Sequence, residues 1–426
     1  MTPPATPLST LFILAVLALM GVLIWRKLNV LWVLLIATGA VLVLFMVNPI
    51  LYLKTVVDPD GPFLLRSAKL MVLVYIINLL GFLMREAGRE KELVCGLEAA
   101  FGDRRVMAAF TPMAMGLLPM PGGAILSASM VQMTLAHQSD NGHKSAVNMW
   151  FRHVWELVDP LYPGIILSSQ MLAVSFVSLS LANWNVFWAM LLFGAIFLLK
   201  DVVRIEPQRT CSKFSGLVMM LKSLVPIAVA FGVTLLDGVI KGAWARHFVG
   251  ALPGVTAGVI SAVLLWKINW HTFVVCAKKA VEARMQLIVV FSLLLATAIE
   301  VSGAVGGMKA DFNHYGLPTI IIIALLPFLT GFLTGVTMAF VSMSMPVVVA
   351  MTSGTSEGLI TGFSVAYTAG FIGVFYSPVH LCMLLSAEKF GTDLWSTYRW
   401  MIWPGVAMLA VLILQVAVAT WGPGLL

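Results

Sequence analysis

Charge is scarce in this sequence: Asp, Glu, Lys and Arg make up 11% of its 426 residues, against roughly 25% in an ordinary soluble protein. That scarcity argues against a soluble globular enzyme. Cysteine is scarce too, at four residues, and Cys95, Cys211, Cys276 and Cys382 form no CxxC pair. Neither a zinc motif nor a redox motif is therefore expected, and the four read as small apolar fillers. There is no Walker loop and no nucleotide fingerprint, so any pumping should draw on an ion gradient. No HExxH occurs either, and no enzymatic activity is expected.

What the chain has instead is apolar length. Hydrophobic residues are 60% of the sequence, in runs such as Leu11 to Trp25 and Val30 to Val47 that approach the roughly 20 residues needed to cross a bilayer. The runs are continuous rather than alternating, which sets aside a β-barrel. The net charge of +7 falls in clusters between apolar runs (Arg26-Lys27, Arg104-Arg105, Lys278-Lys279), the pattern of cytoplasmic loops rather than of a nucleic-acid surface. An all-α polytopic protein of the cytoplasmic (inner) membrane is expected, with its N-terminus outside and no nucleic-acid partner.

Counting runs against basic loops gives about ten transmembrane spans plus two re-entrant hairpins. The first half, 1–210, has three spans and a mixed-charge linker (Arg85 to Arg105). A hairpin over about 107–136 follows, then a broken helix over about 144–181 and a returning span. The second half, 211–426, repeats the plan with a hairpin at about 317–350 and a broken helix at about 357–386. Segments Pro49 to Pro62 and Lys267 to Arg284 read as loops.

Two prolines and two glycines interrupt the first hairpin at Leu118 to Gly123, and Asp159-Pro160-Leu161-Tyr162-Pro163 interrupts the first broken helix. Gly116 to Met130 aligns without gaps to Gly331 to Met345, matching at Gly116, Leu118, Ala124, Ser127, Ser129 and Met130. At the same offset Gly88 meets Gly303 and Pro163 meets Pro378. Each half has an odd number of crossings, so the repeat is inverted. Paired discontinuous helices in an inverted repeat point to a secondary transporter with a site near the bilayer midplane, because broken ends present free N–H groups to anions and free carbonyls to cations.

For the first hairpin the substrate-binding candidates are Pro121, Gly122, Gly123, Ser127 and Ser129; for the second, Thr334, Gly335, Thr337, Ser342 and Ser344. Close helix packing by small residues is the plainer explanation of each set taken alone. Asn148, Arg152, Glu156 and Asp159 recur at helical spacing on one face. Arg152 suits a substrate carboxylate or phosphate, and Asn148, Glu156, Asp159 and His380 are the ion-coupling candidates. A structural Arg152–Glu156 ion pair accounts for part of that stripe equally well. His153 and His380 read as structural or proton-relay histidines rather than metal ligands, and no metal or cofactor is expected beyond a coupling H+ or Na+.

The stretches Gly-Leu-Leu-Pro-Met-Pro-Gly-Gly-Ala, Trp-Phe-Arg-His-Val-Trp-Glu, Leu-Tyr-Pro-Gly and Tyr-Ser-Pro-Val-His-Leu-Cys resemble an uncharacterised membrane family, DUF401, over nearly the whole chain. That family is grouped with the ion transporter superfamily of elevator-type anion carriers. The resemblance implies a homodimer with a scaffold and a moving domain, and hydroxyl residues at paired hairpin turns. Sodium-coupled members carry a Ser-Asn-Thr turn that this sequence does not have, which favours a proton. The expected function is secondary active transport of a small organic anion, in contact with membrane lipids. A lipid-phosphate translocase is the alternative, ahead of a passive channel or an intramembrane enzyme.

Overall fold

A computed structural model describes residues 8–421 except 27, 59–60, 101–102, 118–122, 137–139, 203–211, 240–251, 316–317, 353–354 and 379. The described residues contain helices and no strands. In the first half, α1 (Ser9–Trp25) and α2 (Val30–Leu44) are followed by a short α3 (Pro49–Val57), then α4 (Pro62–Glu86) and α5 (Arg89–Ala100). The expected loop at Pro49 is a helix because Asn48 caps the Ile50 and Leu51 N–H groups and Pro49 fits the first helical position. The hairpin segment forms α6 (Arg104–Gly116) and α7 (Gly123–Thr134); the broken segment forms α8 (Asn141–Arg152), a 3-10 turn over Val154–Leu157, α9 (Pro163–Leu172) and α10 (Phe176–Ala182). The half closes with α11 (Trp184–Leu198).

The second half holds α12 (Lys213–Val239), α13 (Leu252–Leu265), α14 (Trp270–Ala280), α15 (Ala283–Val301) and α16 (Ala304–Tyr315). After these come α17 (Thr319–Thr334), α18 (Thr337–Met351), α19 (Ser356–Phe375), α20 (Leu381–Phe390) and α21 (Leu394–Trp421). Helix α14 fills part of the expected Lys267 to Arg284 loop, capped by Asn269 on the Thr272 N–H and carrying Lys278 and Lys279 in its last turn. Besides the break expected at Asp159 to Pro163, a second, unexpected bend appears: α9 and α10 meet at 114°, around Ala173 in left-handed backbone at φ +52°.

Among the described residues, four helical stretches are long and apolar enough to cross a membrane, namely Phe63–Glu86, Phe214–Thr234, Ser356–Phe375 and Leu394–Trp421; the bent α9–α10 pair makes a fifth if counted as one span. Large apolar side chains such as Phe214 on α12 and Leu414 on α21 are exposed, a surface suited to lipid rather than water. The chain is thus a helical membrane protein. Helix α19 is the interior element, with Phe363, Tyr367, Phe371 and Phe375 all buried, packed by α17 and α21.

The two halves share an order of elements. Gly88 and Gly303, paired by the sequence repeat, both adopt left-handed backbone, at φ +67° and +66°, between α4 and α5 and between α15 and α16. Gly116 lies against the Arg152 carbonyl and Gly331 against the Gly370 carbonyl, each close enough that a Cβ would collide. The halves also interlock: α20 packs on α7 and α8, and α9 packs on α18.

Candidate functional site

The first break begins where α8 ends. His153 N–H turns back to the Trp150 carbonyl, and the chain tightens into the 3-10 turn that carries Glu156. Asp159 then accepts the Leu161 N–H at 2.7 Å through Oδ1, an Asx turn, and Pro163 opens α9 at a position where its missing N–H costs nothing. The second break is Gly335, at φ +62°, followed by extended Val336 before α18 starts at Thr337. The third runs from Tyr376 to His380, which precedes α20.

These breaks meet. The Thr337 hydroxyl donates to Glu156 Oε1, and the Tyr367 hydroxyl donates to the Glu156 carbonyl at 3.0 Å. His380 Nδ1 lies 3.0 Å from the Gly335 carbonyl, and its Nε2 lies 3.3 Å from His153 Nε2. Arg152 Nη1 approaches Cys382 Sγ at 3.5 Å. The first hairpin joins through its α6 side: Tyr162 donates to the Gly116 carbonyl at 3.1 Å, and Trp155 to the Met113 carbonyl at 3.1 Å. Arg152, His153, Glu156, Asp159 and His380 are all buried. Buried ionisable groups are costly in a membrane protein and mark functional sites by default.

The remaining candidates are distributed differently. Asn148 is buried and reaches away from the breaks, its Nδ2 donating to Ser386 Oγ at 2.7 Å and to the Ala124 carbonyl at 3.2 Å. The helical stripe of four is therefore split, because α8 stops at Arg152 and only Asn148 and Arg152 share its face toward α20. Ser127, Ser342 and Thr334 turn their hydroxyls onto carbonyls of their own helices, at Ala124, Met338 and Thr330. Ser344 is buried with an unpartnered oxygen among the described residues, as is Asp159 at Oδ2. Ser129 is half-buried and Gly123 opens α7. Pro121 and Gly122 lie outside the described residues.

Several contributors escaped the sequence reading. Tyr162 and Tyr367 carried no polar signal in an apolar context. Cys382 was read as filler, yet it stands against Arg152 and His153. Its signal was the His380-Leu381-Cys382 spacing, which places two donors beside one break.

A polytopic helical membrane protein with a buried, charged junction of broken helices is the class these features define. Within it, the chain belongs to the DUF401 family, described as proteins of unknown function, whose model matches residues 6–419. No curated protein matches it.

Proposed function

We propose that the chain is a secondary active transporter that moves a small organic anion across the cytoplasmic membrane, coupled to protons. One observation carries the reading: the Glu156 carboxylate is hydrogen-bonded by Thr337 at the N-terminus of α18, where free N–H groups and the helix dipole favour an anion. The protein's own carboxylate fills that place in this conformation. A proton on Glu156 removes the charge, releases the helix end and makes the potential around Arg152 more positive, so proton and anion enter together. Asp159, whose Oδ2 has no partner among the described residues, borders this path, but the coupling proton is assigned to Glu156.

The ten-span, two-hairpin, inverted-repeat topology belongs to this reading, with α6–α7 and α17–α18 as the hairpins. Contacts between distant segments support its sidedness. Lys279 pairs with Glu86 at 2.6 Å, Arg105 donates to the carbonyls of Lys200 and Val202 at 2.9 and 2.8 Å, and Arg399 pairs with Asp140 at 3.2 Å. All lie in segments assigned to the cytoplasm. Asp311 accepts the Thr10 N–H at 2.7 Å, and both belong outside. The elevator mechanism and the homodimer follow the superfamily that the motifs resemble.

The test is ligand-dependent thermal stability, followed by uptake into proteoliposomes. A carboxylate at 100 times its Kd should add about 2.7 kcal/mol of stability. Arg152→Gln should abolish that gain. Glu156→Gln should bind the anion without pH dependence and lose accumulation driven by a pH gradient while keeping exchange. Stabilisation by a lipid phosphate and by no soluble anion overturns the reading, as does pH-driven accumulation that survives Glu156→Gln.

A further inference from the structure

We infer that His153, His380 and Cys382 form a binding site for a thiophilic divalent transition-metal ion of the zinc class, with a fourth coordination position open. The inference rests on the geometry of the breaks and not on the transport reading. One ligand atom from each of these three residues, a ring nitrogen of either histidine and Sγ of Cys382, lies within 4.8 Å of the others.

The two imidazoles are held in one tautomer. His153 Nδ1 is 2.7 Å from the Met149 carbonyl, and His380 Nδ1 is 3.0 Å from the Gly335 carbonyl. A carbonyl only accepts, so both Nδ1 atoms carry hydrogen and, in neutral rings, both Nε2 atoms present bare lone pairs. Those lone pairs face each other at 3.3 Å. Two bare acceptors so placed repel unless a shared proton or a metal cation lies between them. The separation is longer than an ordinary N–H···O bond of about 2.7–3.2 Å. It equals the edge of a tetrahedron drawn with Zn–N bonds of about 2.0–2.1 Å, which is about 3.3–3.4 Å.

The surroundings fit as well. A ligating histidine ordinarily donates its other ring N–H to a carbonyl or carboxylate, and both rings do so, to Met149 and Gly335. The Arg152 guanidinium stands beside Cys382 Sγ at 3.5 Å, a positive charge next to the thiolate that metal binding would form. Glu156 lies within electrostatic reach of His380. Binding forms one M–S and two M–N bonds and releases the Cys382 thiol proton to solvent. Two nitrogens and a sulfur select a borderline-soft ion over Mg²⁺ or Ca²⁺.

The experiment is a Co²⁺ titration of the metal-stripped, full-length protein in detergent. One ion per chain should give a thiolate-to-cobalt charge-transfer band in the near ultraviolet and tetrahedral bands in the visible, both displaced by Zn²⁺. Replacing Cys95, Cys211 and Cys276 together by Ser should leave both signals, whereas Cys382→Ser should remove the charge-transfer band and weaken Zn²⁺ binding by at least about tenfold. A second measurement does not depend on the Cys382→Ser variant folding. In the chain whose single cysteine is Cys382, Zn²⁺ should slow maleimide labelling about tenfold. A titration with no charge-transfer band, a band that persists in Cys382→Ser, or labelling that Zn²⁺ leaves unchanged overturns the proposal. None of these readouts uses the transported anion, so they stand or fall separately from the uptake assays.

Discussion

At the scale of the residue, two glycines separate backbone strain from crowding. Gly335 and Gly391 both adopt left-handed backbone, at φ +62° and +63°, where a side chain costs about 1–2 kcal/mol. A Cβ on Gly391 meets nothing within 4 Å, but one on Gly335 would stand 2.9 Å from the His380 nitrogen. Gly391→Ala should therefore lower unfolding free energy by about 1 kcal/mol. Gly335→Ala should lower it by more and also disturb His380, and thermal unfolding of the two variants side by side checks the difference. Residue chemistry was only partly legible beforehand. Arg152 and Glu156 announced themselves as charges in an apolar run, and Gly335 as the partner of a repeated turn. Cys382 and Tyr367 did not, because a thiol and a phenol among apolar neighbours look like packing until a third dimension puts Arg152 and Glu156 beside them.

At the scale of the element, caps and breaks decided what hydropathy left open. The periodicity that joined Asn148 to Asp159 was real over α8 and failed after Arg152, since spacing alone does not say where a helix yields to a 3-10 turn. Asn48 and Asn269 turned two expected loops into helices for the opposite reason: a cap followed by a short apolar stretch is enough when neighbours bury one face. Asp140 is the cap with most at stake. It accepts the His143 N–H at 3.1 Å to start α8 and also the Trp400 indole N–H at 2.9 Å from α21. Asp140→Ala should cost about 1–2 kcal/mol. Asp140→Asn keeps a capping oxygen and loses the ion pair to exposed Arg399, which is worth less than about 1 kcal/mol. Denaturation of both variants in detergent ranks them.

At the scale of the whole molecule, the sequence repeat paired Gly88 with Gly303 without a conformation for either, and both adopt left-handed backbone between helices. It did not foretell that the halves would interlock. Apolar letters record that a face is buried without recording which neighbour buries it. The proposed topology makes a direct prediction: Glu86→Cys and Lys279→Cys should react with a membrane-impermeant reagent only from the cytoplasmic side, and Tyr315→Cys only from outside. Labelling of all three from one side would dismantle the inverted arrangement.

The reciprocal packing also sets a schedule for synthesis. Glu156 is stabilised by Thr337, and His153 faces His380, which follows it by 227 residues. At about 5–20 residues per second, about 10–45 s separate the emergence of the first break from that of its partner. Throughout that interval the nascent chain has made Arg152, Glu156 and Asp159 without the helices that will enclose them. The junction of broken helices is therefore completed only when Thr337 and His380 have been made, late in synthesis.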